Sequence, residues 1–191
     1  MCNEHRNRIP ESAYFEAFSQ AGVPLRWAQG RRSNLQPKES LRIRDEGPVI
    51  RWAGDHGELE VLPWAWAGQG GRPVFNFRSD GRSFAHSDRC LIPSEGFYEF
   101  TAPADPKAKR KGRWLITLAG EPWFWIAGLI REGAWALLTT EPGPDIAPFH
   151  DRQPVVLRRA QALDWLTLAR PEAELFVPLP AGSFTVEKVE Q

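Results

Sequence analysis

The chain has 191 residues, of which 42% are hydrophobic and 12% aromatic, and its 24 Lys and Arg residues balance its 24 Asp and Glu residues. This length and apolar share predict one globular domain over residues 1–191 and exclude disordered, collagen-like and coiled-coil chains. A net charge of zero argues against a protein that coats nucleic acid nonspecifically. However, 19 of the 24 cationic residues are arginine, whose guanidinium suits phosphate oxygens and flat rings.

The sequence also indicates a cellular location. The longest nearly uninterrupted apolar stretch, residues 123–130, is too short to cross a bilayer, and the first thirty residues are charged rather than signal-like. Two cysteines are too few for a disulfide framework or a zinc site. We therefore expect a cytoplasmic monomer with reduced thiols and no membrane partner.

In chain order, the first predicted element is an amphipathic helix over residues 11–21, which follows Pro10 and stops at Gly22. Short β-branched and aromatic runs then predict strands at residues 49–53, 59–62, 74–78, 96–101, 114–118, 123–130, 135–139 and 184–189. A second helix is predicted over residues 158–168. Many short strands and few helices predict an α+β fold with a curled, barrel-like, mostly antiparallel sheet.

Cys2 follows the initiator methionine, which is normally removed when the second residue is small. An N-terminal cysteine carries an amine and a thiol on adjacent carbons, so an aldehyde can form an imine with the amine and be trapped by the sulfur as a thiazolidine. The α-amino group, with a pKa of about 7.7–8.0 against about 10.4 for lysine, is a nucleophile near neutral pH. Alternatively, Cys2 is a residue without a chemical role that happens to follow the start codon.

The predicted strand at residues 74–78 has an unusual polar face. Period-two alternation places Phe75 and Phe77 on one side. Asn76, Arg78 and Asp80 then share the other side. This face either lines a polar cleft or is the solvated side of an edge strand.

Glu99 is a carboxylate among apolar and aromatic neighbours, in the run Gly96-Phe97-Tyr98-Glu99-Phe100. Such surroundings disfavour the charged form and raise the pKa, which suits proton transfer to an imine or hydroxyl. The alternative is a structural salt bridge.

His150 begins a polar run that precedes the apolar residues 155–157. It can hold a substrate oxygen or shuttle a proton near neutral pH, or it can cap the strand. His5, His56 and His86 lack comparable surroundings. Cys90 precedes an apolar pair and is predicted to be a small buried residue without a chemical role.

Several motifs together resemble the SRAP (SOS response-associated peptidase) family over nearly the whole chain. In order, they are Met1-Cys2, Asn76-x-Arg78, Arg89-Cys90-Leu91-Ile92-Pro93 followed by Gly96-Phe97-Tyr98-Glu99-Phe100, Ala127-Gly128-Leu129, and Thr139-Thr140 followed by His150-Asp151-Arg152-x-Pro154. The resemblance implies a sensor of abasic sites in single-stranded DNA that attaches covalently through an N-terminal cysteine. The peptidase name reflects removal of the initiator methionine, and no metal or cofactor is implied.

Carried over by position, the resemblance implies a role for each catalytic residue. Cys2 is the crosslinking residue, and Asn76 orients the N-terminal residue or the opened sugar. Glu99 is the general acid and base, and His150 assists at the sugar hydroxyl.

The resemblance also implies the DNA contacts. Arg78 meets the DNA backbone, Arg152 lies in the last motif, and Trp64 supports or stacks near the DNA, unless Trp66 is its counterpart. Many members begin Met-Cys-Gly-Arg, whereas this chain begins with Cys2 followed by Asn-Glu, so that arginine contact is absent or moves to Arg6 or Arg8. Two further departures are Asp80 in place of Glu and Gln153 in place of Met.

Two other functions remain open at this point. A cysteine peptidase or amidase with an N-terminal nucleophile would use Cys2 to attack a carbonyl and would turn over its substrate. A noncatalytic single-strand binder would use tryptophan and arginine alone, and would leave Cys2 dispensable.

Overall fold

Sixteen strands and three α-helices form the part of the chain that the computed structural model describes, residues 2–103 and 110–189. The strands are β1 (Glu4–Asn7), β2 (Leu25–Trp27), β3 (Lys38–Arg42), β4 (Glu46–Trp52), β5 (Gly57–Pro63), β6 (Trp66–Ala67), β7 (Pro73–Val74), β8 (Asn76–Arg78), β9 (Arg89–Ser94), β10 (Gly96–Thr101), β11 (Gly112–Leu118), β12 (Phe124–Arg131), β13 (Ala134–Thr140), β14 (Gln153–Pro154), β15 (Val156–Leu157) and β16 (Phe184–Val189). The helices are α1 (Glu11–Gln20), α2 (Ala162–Thr167) and α3 (Glu172–Leu175).

The strands form two large sheets, in which most neighbours are antiparallel. One has five strands in the order β16-β11-β10-β1-β3. The other has nine, with the path β14-β13-β12-β9-β4-β5-β2, to which β15 adds against β12 and β8 adds in parallel against β13. Strands β6 and β7 pair separately. Mostly antiparallel sheets with few helices confirm the α+β expectation.

The expectation of a barrel-like sheet is wrong. A barrel requires its first and last strands to pair. Over the described residues, the five-stranded sheet ends at β16 and β3, and the path of the larger sheet ends at β14 and β2. Both large sheets are therefore open.

The core explains how the two sheets face each other. Successive residues of β12 alternate between two apolar clusters, with Trp125 and Ala127 in one and Phe124 and Ile126 in the other. The first cluster also contains the buried residues of α1 and α2. The second contains Phe97 and other residues of the five-stranded sheet. The nine-stranded sheet thus lies between a helical layer and the smaller sheet.

The predicted elements are found, β10 and β16 with the predicted ends and the others with shifted ends. The strand predicted at residues 74–78 is interrupted at Phe75, which separates β7 from β8. The second predicted helix begins as a 3-10 turn over Arg159–Gln161, continues as α2, and ends where Leu168 takes a left-handed φ of 55°. Among the described residues, no helix has the length and apolar character needed to span a membrane.

Candidate functional site

Strand β1 fixes the start of the chain inside the smaller sheet. It pairs with β10 on one side and β3 on the other, with His5 opposite both Phe97 and Leu41. Cys2 lies two residues before this strand and is only 1% exposed. Its Sγ donates a hydrogen bond to the carbonyl oxygen of Glu4 at 3.4 Å. The cysteine therefore lies at the interface between the two sheets.

Asn76 reaches Cys2 from the other sheet. Its side-chain Nδ2 donates to the carbonyl oxygen of Cys2 at 2.8 Å. Strand β8 is held parallel to β13, with Asn76 opposite Leu137, so its backbone is anchored at this point. The Asn76 Oδ1 atom is buried and has no hydrogen-bond partner among the described residues. The Asn76 amide thus holds the Cys2 backbone through Nδ2 and places its acceptor, Oδ1, in the same buried region.

Glu99 shares this interface. It is 1% exposed, and burial raises the pKa of its carboxyl to about 7, with the nearby charge of Asp151 acting in the same direction. Burial also raises the pKa of the Cys2 thiol, and the Glu99 carboxylate raises it further. The two groups are therefore close enough to interact, and the Glu99 carboxylate favours the neutral form of the Cys2 thiol.

His150 lies beside Asp151, at the edge of this group. Its Nδ1 accepts a hydrogen bond from the backbone N–H of Arg152 at 3.0 Å, and the same atom is 2.8 Å from the Asp151 carboxylate. These contacts require opposite protonation states of Nδ1. Burial lowers the pKa of His150 and so favours the neutral ring, in which Nδ1 either accepts from the Arg152 N–H or, in the other tautomer, donates to Asp151.

Arg152 and Arg78 have different surroundings. Arg152 is buried, donates to the carbonyl oxygen of Thr139 at 2.7 Å and pairs with Asp80 at 2.5 Å. The hydrogen bond from Arg152 holds the pKa of Asp80 below its usual range. Arg152 therefore joins β13 to the loop after β8. Arg78 is exposed and forms no ion pair with the described residues, so its guanidinium faces solvent.

The arginines near the start of the chain are already paired. Arg8 contacts Glu95 at 3.0 Å and Glu39 at 3.1 Å, and Arg6 lies 3.6 Å from Glu39. Glu4 is buried and pairs with Arg113 at 2.5 Å. The acidic residue at position 4 is thus held by cations of its own sheet, on the side away from the apolar interface.

Trp64 and Trp66 are both buried, at 0% and 5% exposure. Trp64 stacks on Trp135 with ring centroids 4.9 Å apart, and its indole N–H donates to the carbonyl oxygen of Phe75. Trp66 packs against Phe77. Both indoles are therefore packed inside the protein, and their expected roles near DNA stay predictions.

His5, which lacks surroundings like those of His150 in the sequence, contacts two buried tryptophans of this interface. Its ring is fully buried, edge-on to Trp64 at 5.5 Å and to Trp135 at 5.9 Å. Burial lowers its pKa to about 3, and neither ring nitrogen has a hydrogen-bond partner among the described residues. Recognising residues 4–7 as a strand would have placed His5 on the same face as its neighbours Phe97 and Leu41.

Cys90 is fully buried within β9, which confirms its predicted packing. Within the described ranges, no group of three or more His, Cys, Asp or Glu residues is arranged to hold a metal ion.

Comparison with known proteins gives a family match over the whole chain. The family described as SOS response associated peptidase (SRAP) matches residues 1–191. The abasic site processing protein YoqW of Bacillus subtilis (strain 168) is 34% identical over 150 residues, which cover 70% of this chain and 65% of that protein. YoaM, an abasic site processing protein of the same organism, is 31% identical over 152 residues, covering 70% and 64%. The matched region is thus less than two thirds of each relative.

Solved structures show the same fold at lower identity. A protein from Bacteroides thetaiotaomicron superposes with a TM-score of 0.72 at 17% identity, covering 99% of this chain and 92% of that one. A phage-related protein from Bordetella bronchiseptica gives a TM-score of 0.71 at 21% identity, covering 100% and 95%.

Proposed function

The chain belongs to the SOS response associated peptidase family, and on this basis we propose that it processes abasic sites in DNA by binding single-stranded DNA and forming a covalent thiazolidine through Cys2. The relatives YoqW and YoaM are named as abasic site processing proteins, which supports the substrate. The observation that carries the mechanism is the meeting of Cys2, Asn76 and Glu99 at one buried interface.

The first proposed step exposes the reactive amine. Removal of Met1 converts the Cys2 backbone nitrogen into an α-amino group. Asn76 already holds the Cys2 carbonyl at 2.8 Å and carries a buried acceptor, Oδ1, that can receive a hydrogen bond from this amine. The amide thereby orients the amine before DNA binds, and pre-set orientation lowers the entropic part of the barrier.

The second step joins protein and DNA. The amine of Cys2 attacks the aldehyde carbon of the ring-opened abasic sugar and gives a carbinolamine. Protonated Glu99 donates its proton to the departing hydroxyl, so water leaves and an iminium forms. The sulfur then adds to the same carbon, while its proton returns to the Glu99 carboxylate and the nitrogen becomes neutral. Glu99 ends as it began, and one water is released.

The surroundings of Glu99 suit this exchange. A pKa of about 7 leaves both protonation states populated near neutral pH, so the same group can give and then take a proton. In the proposed reaction His150 holds the hydroxyl of the opened sugar through its ring nitrogens. Arg78, exposed at the end of β8, meets the DNA backbone.

The burial of Cys2 favours this chemistry over a cysteine peptidase. A peptidase needs a thiolate, and burial raises the thiol pKa instead. Thiazolidine formation begins at the amine and needs the sulfur only after the iminium exists. A noncatalytic single-strand binder would not require the fixed position of Cys2.

Intact mass measurement tests the proposal. The purified protein is incubated with a single-stranded oligonucleotide that carries one abasic site, and in parallel with the same strand lacking the lesion. We expect a protein lighter by one methionine residue, and with the abasic strand a further species equal to protein plus oligonucleotide minus one water. Equal reaction with both strands, or no adduct with either, would contradict the proposal.

A further inference from the structure

We propose that Trp114 and Phe149 form a stacking site for an unpaired nucleobase that adjoins the abasic nucleotide. This inference rests on the proposed function and identifies a part of the DNA that the site recognises. It also assigns the stacking role to residues other than the buried Trp64 and Trp66.

The two rings form a half-buried aromatic pair. Their centroids lie 4.9 Å apart with an interplanar angle of 57°, and both side chains remain partly accessible. The indole N–H of Trp114 donates to the hydroxyl of Thr101 at 2.9 Å, which fixes the orientation of the ring. A fixed aromatic surface that reaches solvent is what base stacking requires, because every base has a π-face and little ordering entropy is lost.

The position of this pair links it to the reacting groups. Trp114 of β11 lies directly opposite Glu99 of β10 in the antiparallel ladder, so their side chains are on the same face of the sheet. Phe149 immediately precedes His150. Opposed residues in such a ladder have Cα atoms about 5 Å apart. The nucleotide next to the abasic sugar, rather than a distant one, is therefore the one that meets the rings.

A cation completes the surface. Lys188 of β16 lies opposite Trp114 on its other side, is exposed, and has its Nζ 5.8 Å from the Trp114 ring centroid. It forms no ion pair with the described residues. Aromatic rings beside a flexible cation match the chemistry of a nucleotide, whose base stacks while its phosphate attracts the ammonium.

The inference is tested by comparing the affinity for an abasic strand that has bases on both sides of the lesion with the affinity for one that lacks them. One oligonucleotide carries a tetrahydrofuran abasic analogue, which has no aldehyde, between two ordinary nucleotides, and a second replaces both neighbours with the same analogue. We expect wild type to bind the first at least about fivefold more tightly. Trp114→Leu and Phe149→Leu should each reduce the ratio of the two affinities toward one, with little change in the affinity for the second strand.

Two further variants separate stacking from folding. Trp114→Phe keeps an aromatic face but loses the bond to Thr101, and should retain most of the ratio. Trp52→Leu changes a half-buried tryptophan that packs against the core cluster containing residues of α1 and α2, and should leave the ratio at the wild-type value. With 2-aminopurine as the flanking base, wild type should quench its fluorescence and Trp114→Leu should not.

The result that overturns the inference is equal binding of the two strands by wild type, or a ratio unchanged in both Trp114→Leu and Phe149→Leu. In that case the proposed function still holds if the natural abasic strand forms an adduct. Loss of the adduct in wild type would instead overturn the proposed function, and the stacking site with it.

Discussion

The carbonyl oxygen of Cys2 accepts a hydrogen bond from the side-chain amide of Asn76 at 2.8 Å, across the boundary between the two sheets. Asn76→Ala removes this contact and the adjacent acceptor. We expect crosslinking to slow by about ten- to hundredfold, because the amine is no longer oriented. Adduct formation over time, on denaturing gels, measures the effect.

Asn7 is a matched control, because it is a buried asparagine with a structural role. Its side chain bonds to Pro93, Ile9 and Tyr14. Asn7→Ala should lower the free energy of unfolding by about 1–3 kcal/mol. A larger loss of stability in Asn76→Ala than in Asn7→Ala would contradict the assignment.

The two cysteines should differ in chemistry although both are buried. Cys2→Ala should abolish the denaturant-resistant adduct and preserve the fold. Cys90→Ala should react like wild type and lose about 1–2 kcal/mol of stability from the small cavity it leaves. Intact mass after incubation with abasic single-stranded DNA decides between them, and an inactive Cys90→Ala with an active Cys2→Ala would reverse the assignment.

Glu99→Gln should slow adduct formation or its reversal by at least about tenfold, because the amide keeps the shape but cannot exchange a proton. Binding to intact single strands should change little. Time courses of formation, and of transfer to a competing abasic strand, measure the two directions. Rates within about twofold of wild type in both would indicate a purely structural carboxylate.

The same substitution should change the pH dependence of stability. Because the folded pKa of Glu99, about 7, is raised above its ordinary 4.5, its contribution is fully present below pH 4.5 and is lost as the pH rises through 7. Glu99→Gln should therefore stabilise the protein relative to wild type at pH 8, by up to about 3 kcal/mol, and not at pH 4. Urea unfolding at both pH values tests this, and equal differences at the two would contradict it.

His5 has the opposite dependence. Its folded pKa of about 3 lies below the ordinary 6.5, so its contribution is present above pH 6.5 and is lost as the pH falls toward 3. His5→Phe removes two buried nitrogens without partners among the described residues and should stabilise the protein by about 1–2 kcal/mol at pH 7. The gain should be larger at pH 4.5, and unfolding midpoints that shift equally at both pH values would argue against this account.

Arg78→Ala should weaken binding to intact single-stranded DNA and reduce the slope of log K against log salt by about one. Arg152→Ala is the contrasting change, since it removes the partner of Asp80 and a donor to Thr139. We expect it to cost about 1–3 kcal/mol of stability. Salt titrations of binding measure the first effect, and an unchanged slope would remove Arg78 from the DNA surface.

Local signals in the sequence were sufficient where a residue's role depends on its near neighbours. Pro10 and Gly22 bound α1 to within a residue of its prediction, and the apolar neighbours of Glu99 anticipated its burial. The failures have a different cause. Strand β9 contains Pro93, and β1 carries Glu4 and Arg6, so neither resembles a strand.

Long-range contacts account for the remaining differences. The sequence around Trp64 is compatible with either an exposed or a buried side chain. Its burial depends on stacking against Trp135, some seventy residues away in the chain. The pairing of Arg152 with Asp80 likewise depends on the path of the chain between β8 and β14. Alternation within one strand does not specify which partner strand supplies the ion pair.

The central position of β1 also has a mechanical consequence. In the proposed adduct, an enzyme that translocates along DNA would pull on the protein at Cys2, in line with β1. This strand is hydrogen-bonded to β10 on one side and to β3 on the other. Such a load shears both ladders at once, so that their bonds must break together rather than one after another. An edge strand such as β16, bonded only to β11, would instead peel away residue by residue. The attachment point thus precedes a strand that can be extracted only by breaking both ladders.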